Sequence, residues 1–263
     1  MILGREQALL DQLASYGQLV VAFSGGADSA FLLAAAVEAL GPAAVVAATA
    51  VSDSLPASEL ALARAFAESL GVEHLTPSTH ELDREGYVAN GSDRCYFCKA
   101  ELIEVLLPVA AGRTIATGTN ADDARDGFRP GITAARQRGA VTPLLDAGFT
   151  KEEVRTASRR RGLVTADKPA AACLSSRIAY GIQITPERLS RVERAEEGLR
   201  TALAGTPVRN IRVRDLGEVA RVEVDRDLVA LLTPDVLIHV AGWLRVEVDP
   251  LGFRSGSMNE LLT

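Results

Sequence analysis

The chain has 263 residues, 48% of them apolar and 24% charged, with a formal net charge of −6 at pH 7. That length and composition allow a sizeable buried core without disulfide staples, and the acidic balance gives no general attraction to nucleic acid, although a local basic patch is compatible with it. No basic segment followed by an apolar run opens the chain and no stretch of about eighteen apolar residues interrupts it, so neither secretion nor membrane insertion is indicated and a cytoplasmic location is expected. Three cysteines, an odd number, suit a metal or catalytic role in a reducing compartment better than a disulfide framework.

The first predicted strand is the apolar run Leu19-Val20-Val21-Ala22-Phe23. Ser24-Gly25-Gly26-Ala27-Asp28-Ser29 follows as a turn, and Ala30 to Ala34 opens a helix. Adjacent glycines let the backbone turn sharply and gather N–H groups into one concavity, and a helix start adds partial positive charge, so this turn suits an anion such as phosphate. It is not a Walker A loop, because no Gly-Lys-Ser/Thr follows. Glycines and a capping serine also occur at such turns for purely local reasons.

Further along, Val45 to Val51 predicts a second strand, Glu59 to Leu70 a helix stopped by Gly71, and Val72 to Thr76 a third strand. After the polar stretch Asn90-Gly91-Ser92-Asp93 come a helix near Cys98 to Ala110 and a fourth strand from Thr114 to Gly118. Alternating strands and helices predict an α/β fold, a parallel sheet with helices on both faces. Ligands of such sheets bind beyond the carboxyl ends of the strands, where Ser24 to Ser29 and Asn120-Ala121-Asp122-Asp123 would both lie. Thr150 to Glu153 is a capping-box pattern, and Arg159-Arg160-Arg161 before Gly162 is a sensible helix end. A loop from Ala166 to Gly181 carries Cys173 and leads to Thr185-Pro186, a cap followed by proline at the first helical position, with the helix reaching Leu203. Ile211 to Arg214 and Ala220 to Val224 then alternate as strands, Asp227 to Gly242 reads helical, and Leu244 to Val248 is a final strand. The expected division is a main domain over 1–181 and a small α+β domain over 182–263.

Arg94-Cys95-Tyr96-Phe97-Cys98-Lys99 puts two thiols at a helix start, where the dipole and two flanking cations favour thiolate. Cys173 sits among small residues, before Leu174-Ser175-Ser176-Arg177. Three thiolates would hold three irons of a 4Fe–4S cluster and leave the fourth iron open to an exogenous ligand such as sulfide. A structural zinc site would need a fourth ligand, for which His74, His80 and His239 are the available imidazoles. By itself the paired-cysteine spacing leaves zinc, redox and structural readings open. In the small domain, Arg212 and Arg214 would project from one strand face, with Glu223 and Asp225 similarly spaced on the next strand. Such charges either decorate a solvated sheet face or bind a substrate phosphate and a metal.

Taken together, S-G-G-A-D-S, the segment G-T-N-A-D-D with downstream Arg129-Pro130-Gly131, R-C-Y-F-C-K, the block K-P-A-A-A-C-L-S-S-R-I-A-Y-G and the closing Gly252 to Asn259 resemble a LarE-type enzyme of the PP-loop ATP pyrophosphatase superfamily. The resemblance implies an ATP-dependent sulfurtransferase acting on pyridinium-3,5-biscarboxylic acid mononucleotide in nickel-pincer nucleotide cofactor synthesis, the cofactor used by lactate racemase. A carboxylate would be adenylylated with release of pyrophosphate, and sulfur would attack the acyl adenylate. By motif match, Ser24, Gly25, Gly26 and Ser29 would contact ATP phosphates, and Asp28 would help place magnesium or phosphate. Asn120, Asp122 and Asp123 would supply a second metal or nucleotide contact, although such residues after a strand are also common in turns. Ser176, Arg177, Arg212 and Arg214 would hold the substrate phosphate or carboxylates, and Glu223 and Asp225 a magnesium ion.

The family has two forms. In one, the cysteine matching Cys173 gives up its own sulfur and becomes dehydroalanine; in the other, three cysteines bind a 4Fe–4S cluster that uses added sulfide repeatedly. The pattern Cys95, Cys98 and Cys173 resembles the second form. Sulfide or a sulfur-donor protein is then an expected partner, and a trimer or hexamer is the implied assembly. Rival readings are a PP-loop tRNA thiolation enzyme, an ammonia-dependent ligase of the NAD or GMP synthetase kind, and a non-catalytic nucleotide-binding module.

Overall fold

The structure, a computed structural model, describes residues 2–125, 130–169, 173–254 and 256–258. In chain order it runs α1 (Ile2–Ser15), β1 (Leu19–Ala22), α2 (Ala27–Leu40), β2 (Val45–Ala48), α3 (Ala57–Ser69), β3 (Glu73–Leu75), the short α4 (Glu85–Val88), α5 (Arg94–Ala110) and β4 (Thr114–Thr117). There follow α6 (Ala121–Arg125), α7 (Pro130–Gln137), α8 (Pro143–Asp146), α9 (Lys151–Arg160), α10 (Pro186–Ala202), β5 (Ile211–Asp215), β6 (Val219–Val224), α11 (Pro234–Leu237) and β7 (Arg245–Val248). The contacts divide the chain into a first unit of residues 1–52, 57–81 and 95–171 and a second unit of residues 53–56, 82–94 and 172–263.

In the first unit the strands are all parallel, in the order β3-β2-β1-β4. Alternation along β1 decides the layers. Leu19, Val21 and Phe23 enter one cluster with Leu9 and Leu13 of α1, Phe31 of α2, Phe66 of α3 and Val154 of α9. Val20 and Ala22 enter another with Val46, Ala48, and Ile103 and Leu106 of α5. Strands that are apolar at every position need cover on both sides, and the helices supply it, as the α/β reading expects. The Thr150 capping box is present, with Glu153 N–H donating to Thr150 Oγ1 at 3.3 Å and Thr150 N–H donating to Glu153 Oε2 at 3.0 Å.

The second unit holds a three-stranded sheet, β5-β6-β7, antiparallel between β5 and β6 and parallel between β6 and β7. Ala195 and Leu199 of α10 pack against Val213, Val222 and Val224. Thr185 caps α10 with proline at its first position, as expected. The segment from Asp227 to Gly242 is not one helix. It breaks into a 3₁₀ turn, Arg226–Leu231, and the single turn α11, because Pro234 has no N–H to give and holds Thr233 extended at φ −71°, ψ 164°. The loop around Cys173 also contains an unexpected 3₁₀ turn, Leu174–Arg177. Among the described residues no helix is long and apolar enough to cross a membrane.

Candidate active site

The turn between β1 and α2 is built by its own side chains. Gly25 takes the left-handed conformation, φ 69°, that a side chain would strain. A Cβ there would also lie 3.3 Å from the Ala63 Cβ of α3. Ser24 and Ser29 face each other at 3.1 Å between their Oγ atoms, the Ser24 N–H donates to Ser29 Oγ at 3.3 Å, and Ser29 Oγ donates to the Gly26 carbonyl at 3.2 Å. Gly26 caps α2 with no side-chain hydrogen bond. The helix start is thus shaped by the two serines and capped by a residue that brings no anion of its own, the arrangement that leaves N–H groups for a bound phosphate. Beside it, Lys168 donates to the Gly25 carbonyl at 3.0 Å and pairs with Glu59 of α3 at 2.6 Å.

Beyond β4 the chain comes close to the same helix start. A Cβ on Gly118 would meet Ser29 N at 2.8 Å and Ser29 Cα at 2.9 Å, so only glycine allows the approach. Asn120 and Asp123 then cap each other: Asp123 N–H donates to Asn120 Oδ1 at 3.0 Å, and Asn120 N–H donates to Asp123 Oδ2 at 3.3 Å. That cap is the turn role open to these residues, and it uses only one end of the Asn120 side chain. Asn120 is fully buried, and its Nδ2 has no hydrogen-bond partner among the described residues. Asp122 accepts from the Lys151 N–H at 2.8 Å, and Asp123 pairs with Lys151 Nζ at 3.1 Å.

Asp28 lies among these groups. Burial, and next the negative charge of Asp123, push its carboxyl above the usual range; Lys151, the Asn120 amide dipole and Arg155 pull the other way without restoring it. A carboxyl whose ionisation is opposed by burial and by a neighbouring carboxylate is one that a divalent cation would relieve, and the Asn120 amide is a donor suited to a phosphate oxygen.

All three cysteines are free thiols: Cys95 is exposed, Cys98 and Cys173 half-buried. Cys95 and Cys98 stand in the first two turns of α5, and the Cys98 thiol donates to Glu81 Oε1 at 4.0 Å, whose other oxygen accepts from Thr79 Oγ1 at 2.7 Å. The expected flanking cation Arg94 is spent elsewhere. It is buried, donates to Asn90 Oδ1 at 2.6 Å and to the Ser175 carbonyl at 3.0 Å, and lies over the Tyr180 ring. Of the imidazoles considered for zinc, His74 shares Nε2 with Thr49 Oγ1 at 2.7 Å. Among the described residues no group of three or more His, Cys, Asp or Glu side chains is arranged to hold a metal ion.

In the second unit the Cys173 carbonyl is a hub. It accepts from Ser176 N–H at 3.0 Å, Ser176 Oγ at 2.7 Å and an Arg177 guanidinium nitrogen at 3.0 Å, while the Cys173 thiol faces Ser175 Oγ at 2.9 Å. Arg177 is buried and also grips Glu196 through two nitrogens, at 2.9 and 3.2 Å. The structure therefore uses Ser176 and Arg177 to shape the cysteine turn. Arg212 and Arg214 share a face of β5 as expected, but it is not a solvated one: they are 7% and 5% exposed and Glu223 is 1% exposed. Arg214 pairs with Glu223 at 2.7 Å and donates to Ser257 Oγ at 3.2 Å. Arg212 donates to the Ile211 carbonyl at 2.7 Å and lies over Phe253; burial, and the nearby charge of Arg177, Arg214 and Arg200 against that of Glu196, push it down to about 10. Asp225 instead accepts from Arg209 N–H, Asn210 N–H and Asn210 Nδ2 at 2.6, 3.0 and 2.6 Å; burial raises its carboxyl, and these bonds outweigh burial and hold it low.

An NAD synthase family model matches residues 5–88, the stretch that contains the glycine turn. An uncharacterized protein of Synechocystis sp. is 41% identical over 261 residues, covering 94% of this chain and 95% of its own. The pyridinium-3,5-bisthiocarboxylic acid mononucleotide synthase of Lactiplantibacillus plantarum is 32% identical over 267 residues, covering 98% of this chain and 95% of its own. The chain belongs to the LarE-type synthase family. An uncharacterized protein of Methanocaldococcus jannaschii is 28% identical over 148 residues, covering 55% and 56% of the two chains. As a LarE-type protein the chain is an ATP-dependent sulfurtransferase, and the nucleotide-module and ligase readings give way to it.

Several residues that shape the LarE-type site carry no distinct signal in the sequence. Gly118 ends an ordinary strand, and its closeness to Ser29 is a property of the fold. Glu81 and Glu196 are acids in helical turns whose partners, Cys98 and Arg177, lie elsewhere in the chain. In the sequence Lys168 is one letter of the K-P-A-A-A-C block and nothing more. Within the resemblance motifs, Arg129, Ala170 to Ala172, Ser255 and Asn259 lie outside the described residues.

Proposed function

We propose that the chain uses ATP to adenylylate the carboxylates of pyridinium-3,5-biscarboxylic acid mononucleotide and replaces the adenylate with sulfur, a step in nickel-pincer nucleotide cofactor synthesis. The observation that carries this reading is the match to the Lactiplantibacillus plantarum synthase along 98% of the chain. A carboxylate oxygen attacks the α-phosphorus of ATP, forming the acyl adenylate and releasing pyrophosphate. A sulfur nucleophile then attacks the acyl carbon, the carbon–oxygen bond to AMP breaks, and a thiocarboxylate remains. The turn from Ser24 to Ser29 offers N–H groups to the phosphates, Asp28 with Asp123 would hold magnesium, and Asn120 Nδ2 would donate to the nucleotide. Arg212, a buried cation lying over Phe253, would hold the substrate phosphate, with Arg214 beside it.

For the sulfur we propose Cys95, Cys98 and Cys173 as ligands of a 4Fe–4S cluster. Three thiols with no disulfide among them have the donor chemistry for it, and the cluster would supply an iron open to sulfide. A second reading makes Cys173 the sacrificed donor; its anchored carbonyl and the Ser175 hydroxyl beside its sulfur favour that role for one thiol alone. The remaining elements of the proposal are magnesium as ATP's counter-ion, sulfide or a sulfur-donor protein as source, and a homo-oligomer of trimer or hexamer size.

The test is anaerobic purification with iron reconstitution, visible spectroscopy, and intact mass after incubation with ATP, magnesium and the mononucleotide. Iron–sulfur absorption with sulfide-dependent multiple turnover and an unchanged polypeptide mass supports the cluster. A competent enzyme without iron, losing the mass of hydrogen sulfide, makes Cys173 the donor. Pyrophosphate release with no thiocarboxylate from the mononucleotide removes the substrate assignment.

A further inference from the structure

We infer that Lys168 is a polyphosphate-binding residue of the ATP site and that Glu59 is the counter-ion it leaves when nucleotide binds. The inference rests on the ATP-site reading of the glycine turn. Among the described residues the ammonium has two partners, the Gly25 carbonyl at 3.0 Å and Glu59 Oε2 at 2.6 Å, and a lysine carries three donors. The side chain is 16% exposed and Glu59 19%, so the pair is sheltered but open on one side. Its backbone is clamped: Arg155 donates to the Ala166 carbonyl at 3.4 Å and the Lys168 carbonyl at 3.1 Å, and the Lys168 N–H bonds to the Thr165 carbonyl at 3.1 Å.

Two features separate this lysine from an ordinary ion pair. It hydrogen-bonds the main chain of the left-handed glycine itself, so a phosphate lodged against the N–H groups of that turn comes within reach of the ammonium. Arg155, which fixes its backbone, also carries a positive charge felt by Asp28. The segment from Arg155 to Lys168 therefore brings two cations to the turn where polyphosphate charge would accumulate. A triphosphate with several negative charges competes well against a single carboxylate for an ammonium, because charge-assisted bonds strengthen with the charge of the acceptor. Glu59, in the first turn of α3, keeps a favourable place at a helix N-terminus when the lysine departs.

The test is calorimetric titration of the full chain with ATP–Mg and with AMP, in the absence of mononucleotide. Lys168→Ala is expected to weaken ATP by about tenfold, the loss of one charge-assisted bond, and to leave AMP within about twofold. Glu59→Gln is expected to tighten ATP, since the lysine no longer gives up a carboxylate to reach phosphate. Opposite signs for the two variants are the signature. If both weaken ATP alike, the pair is a staple of the turn and the inference falls; it also falls if Lys168→Ala binds ATP as the wild type does, or loses AMP equally. Should Lys168→Ala fail to fold, tightening by Glu59→Gln decides alone, and no tightening overturns the inference. Wild-type binding of ATP without sulfur transfer would sink the proposed substrate but not Lys168, whereas no ATP binding at all sinks both.

Discussion

Asp28, at the carboxyl edge of the parallel sheet, and Asp215, at the end of β5, are both sheltered carboxylates, yet the protein treats them in opposite ways. Burial raises both. Asp215 then receives Arg188 at 2.8 Å, Arg191 at 2.7 Å, the Gly217 N–H at 2.9 Å and Trp243 Nε1 at 3.2 Å, and these bonds pull it below the usual range. Asp28 receives no such set, faces the charge of Asp123, and stays raised. Among the buried arginines of the second unit, Arg177 is matched by Glu196 through two bonds, and burial, with the nearby charge of Arg177, pushes Arg212 down to about 10. A charge with its partners complete holds the fold together. One left incomplete costs stability and is kept for a ligand.

The comparison breaks most visibly at Asp215. Asp215→Ala leaves two partly buried guanidiniums and a tryptophan N–H without their acceptor and is expected to cost about 3 kcal/mol, read by urea unfolding. The sign with pH follows from the lowered carboxyl. Its contribution is complete above the ordinary carboxylate value and is lost as pH falls through the lower folded value, so the gap between wild type and variant closes in strong acid.

Asp28→Asn is expected to behave inversely. Pyrophosphate release falls by about a hundredfold, some 2.7 kcal/mol of lost stabilisation, while the melting temperature rises. Because the folded carboxyl is raised, wild-type stability falls as pH climbs through the folded value, and the variant's advantage is full above that value and gone below the ordinary one. A variant that melts earlier at neutral pH would place Asp28 with Asp215 among the structural charges.

Arg212→Gln sharpens the same point in the second unit. The requirement for mononucleotide is expected to rise by about tenfold, the worth of one charge-assisted contact, with ATP binding unchanged and no loss of melting temperature at neutral pH. Its folded value, lowered to about 10, means that the charged form is disfavoured by the fold at every pH below that, so removing the charge relieves a cost. The smallest effect is at Glu81, which accepts from the Cys98 thiol. Glu81→Gln removes a negative charge beside that sulfur and is expected to speed alkylation of Cys98 by iodoacetamide about twofold to fivefold near neutral pH, followed by peptide mass spectrometry.

Much of the first unit was legible because its signals are local. The apolar run Leu19 to Phe23 before the glycine turn marks β1, a short β-branched run ending at Gly118 marks β4, and the Thr150 capping box marks α9. The apolar periodicity from Asp227 is not one helix because Pro234 interrupts it. α1 carries no capping signal in the sequence, although its Leu9 and Leu13 are fully buried. In the site, the glycine turn and the cysteines announce themselves by residue type, whereas Gly118 and Lys168 matter through closeness to Ser29 and Gly25, which no spacing encodes. The arginines of β5 could be placed on one face from the period of a strand. Their burial could not, since it depends on Phe253 and Ser257 at the far end of the chain.

The most direct measurement is pyrophosphate release from ATP–Mg by the anaerobically purified protein, with and without pyridinium-3,5-biscarboxylic acid mononucleotide, alongside mass spectrometry of the mononucleotide. Release that depends on the mononucleotide, with sulfur replacing carboxylate oxygen in the product, is the predicted result. Release indifferent to the mononucleotide, or a mononucleotide recovered without sulfur in the presence of a competent donor, would contradict it.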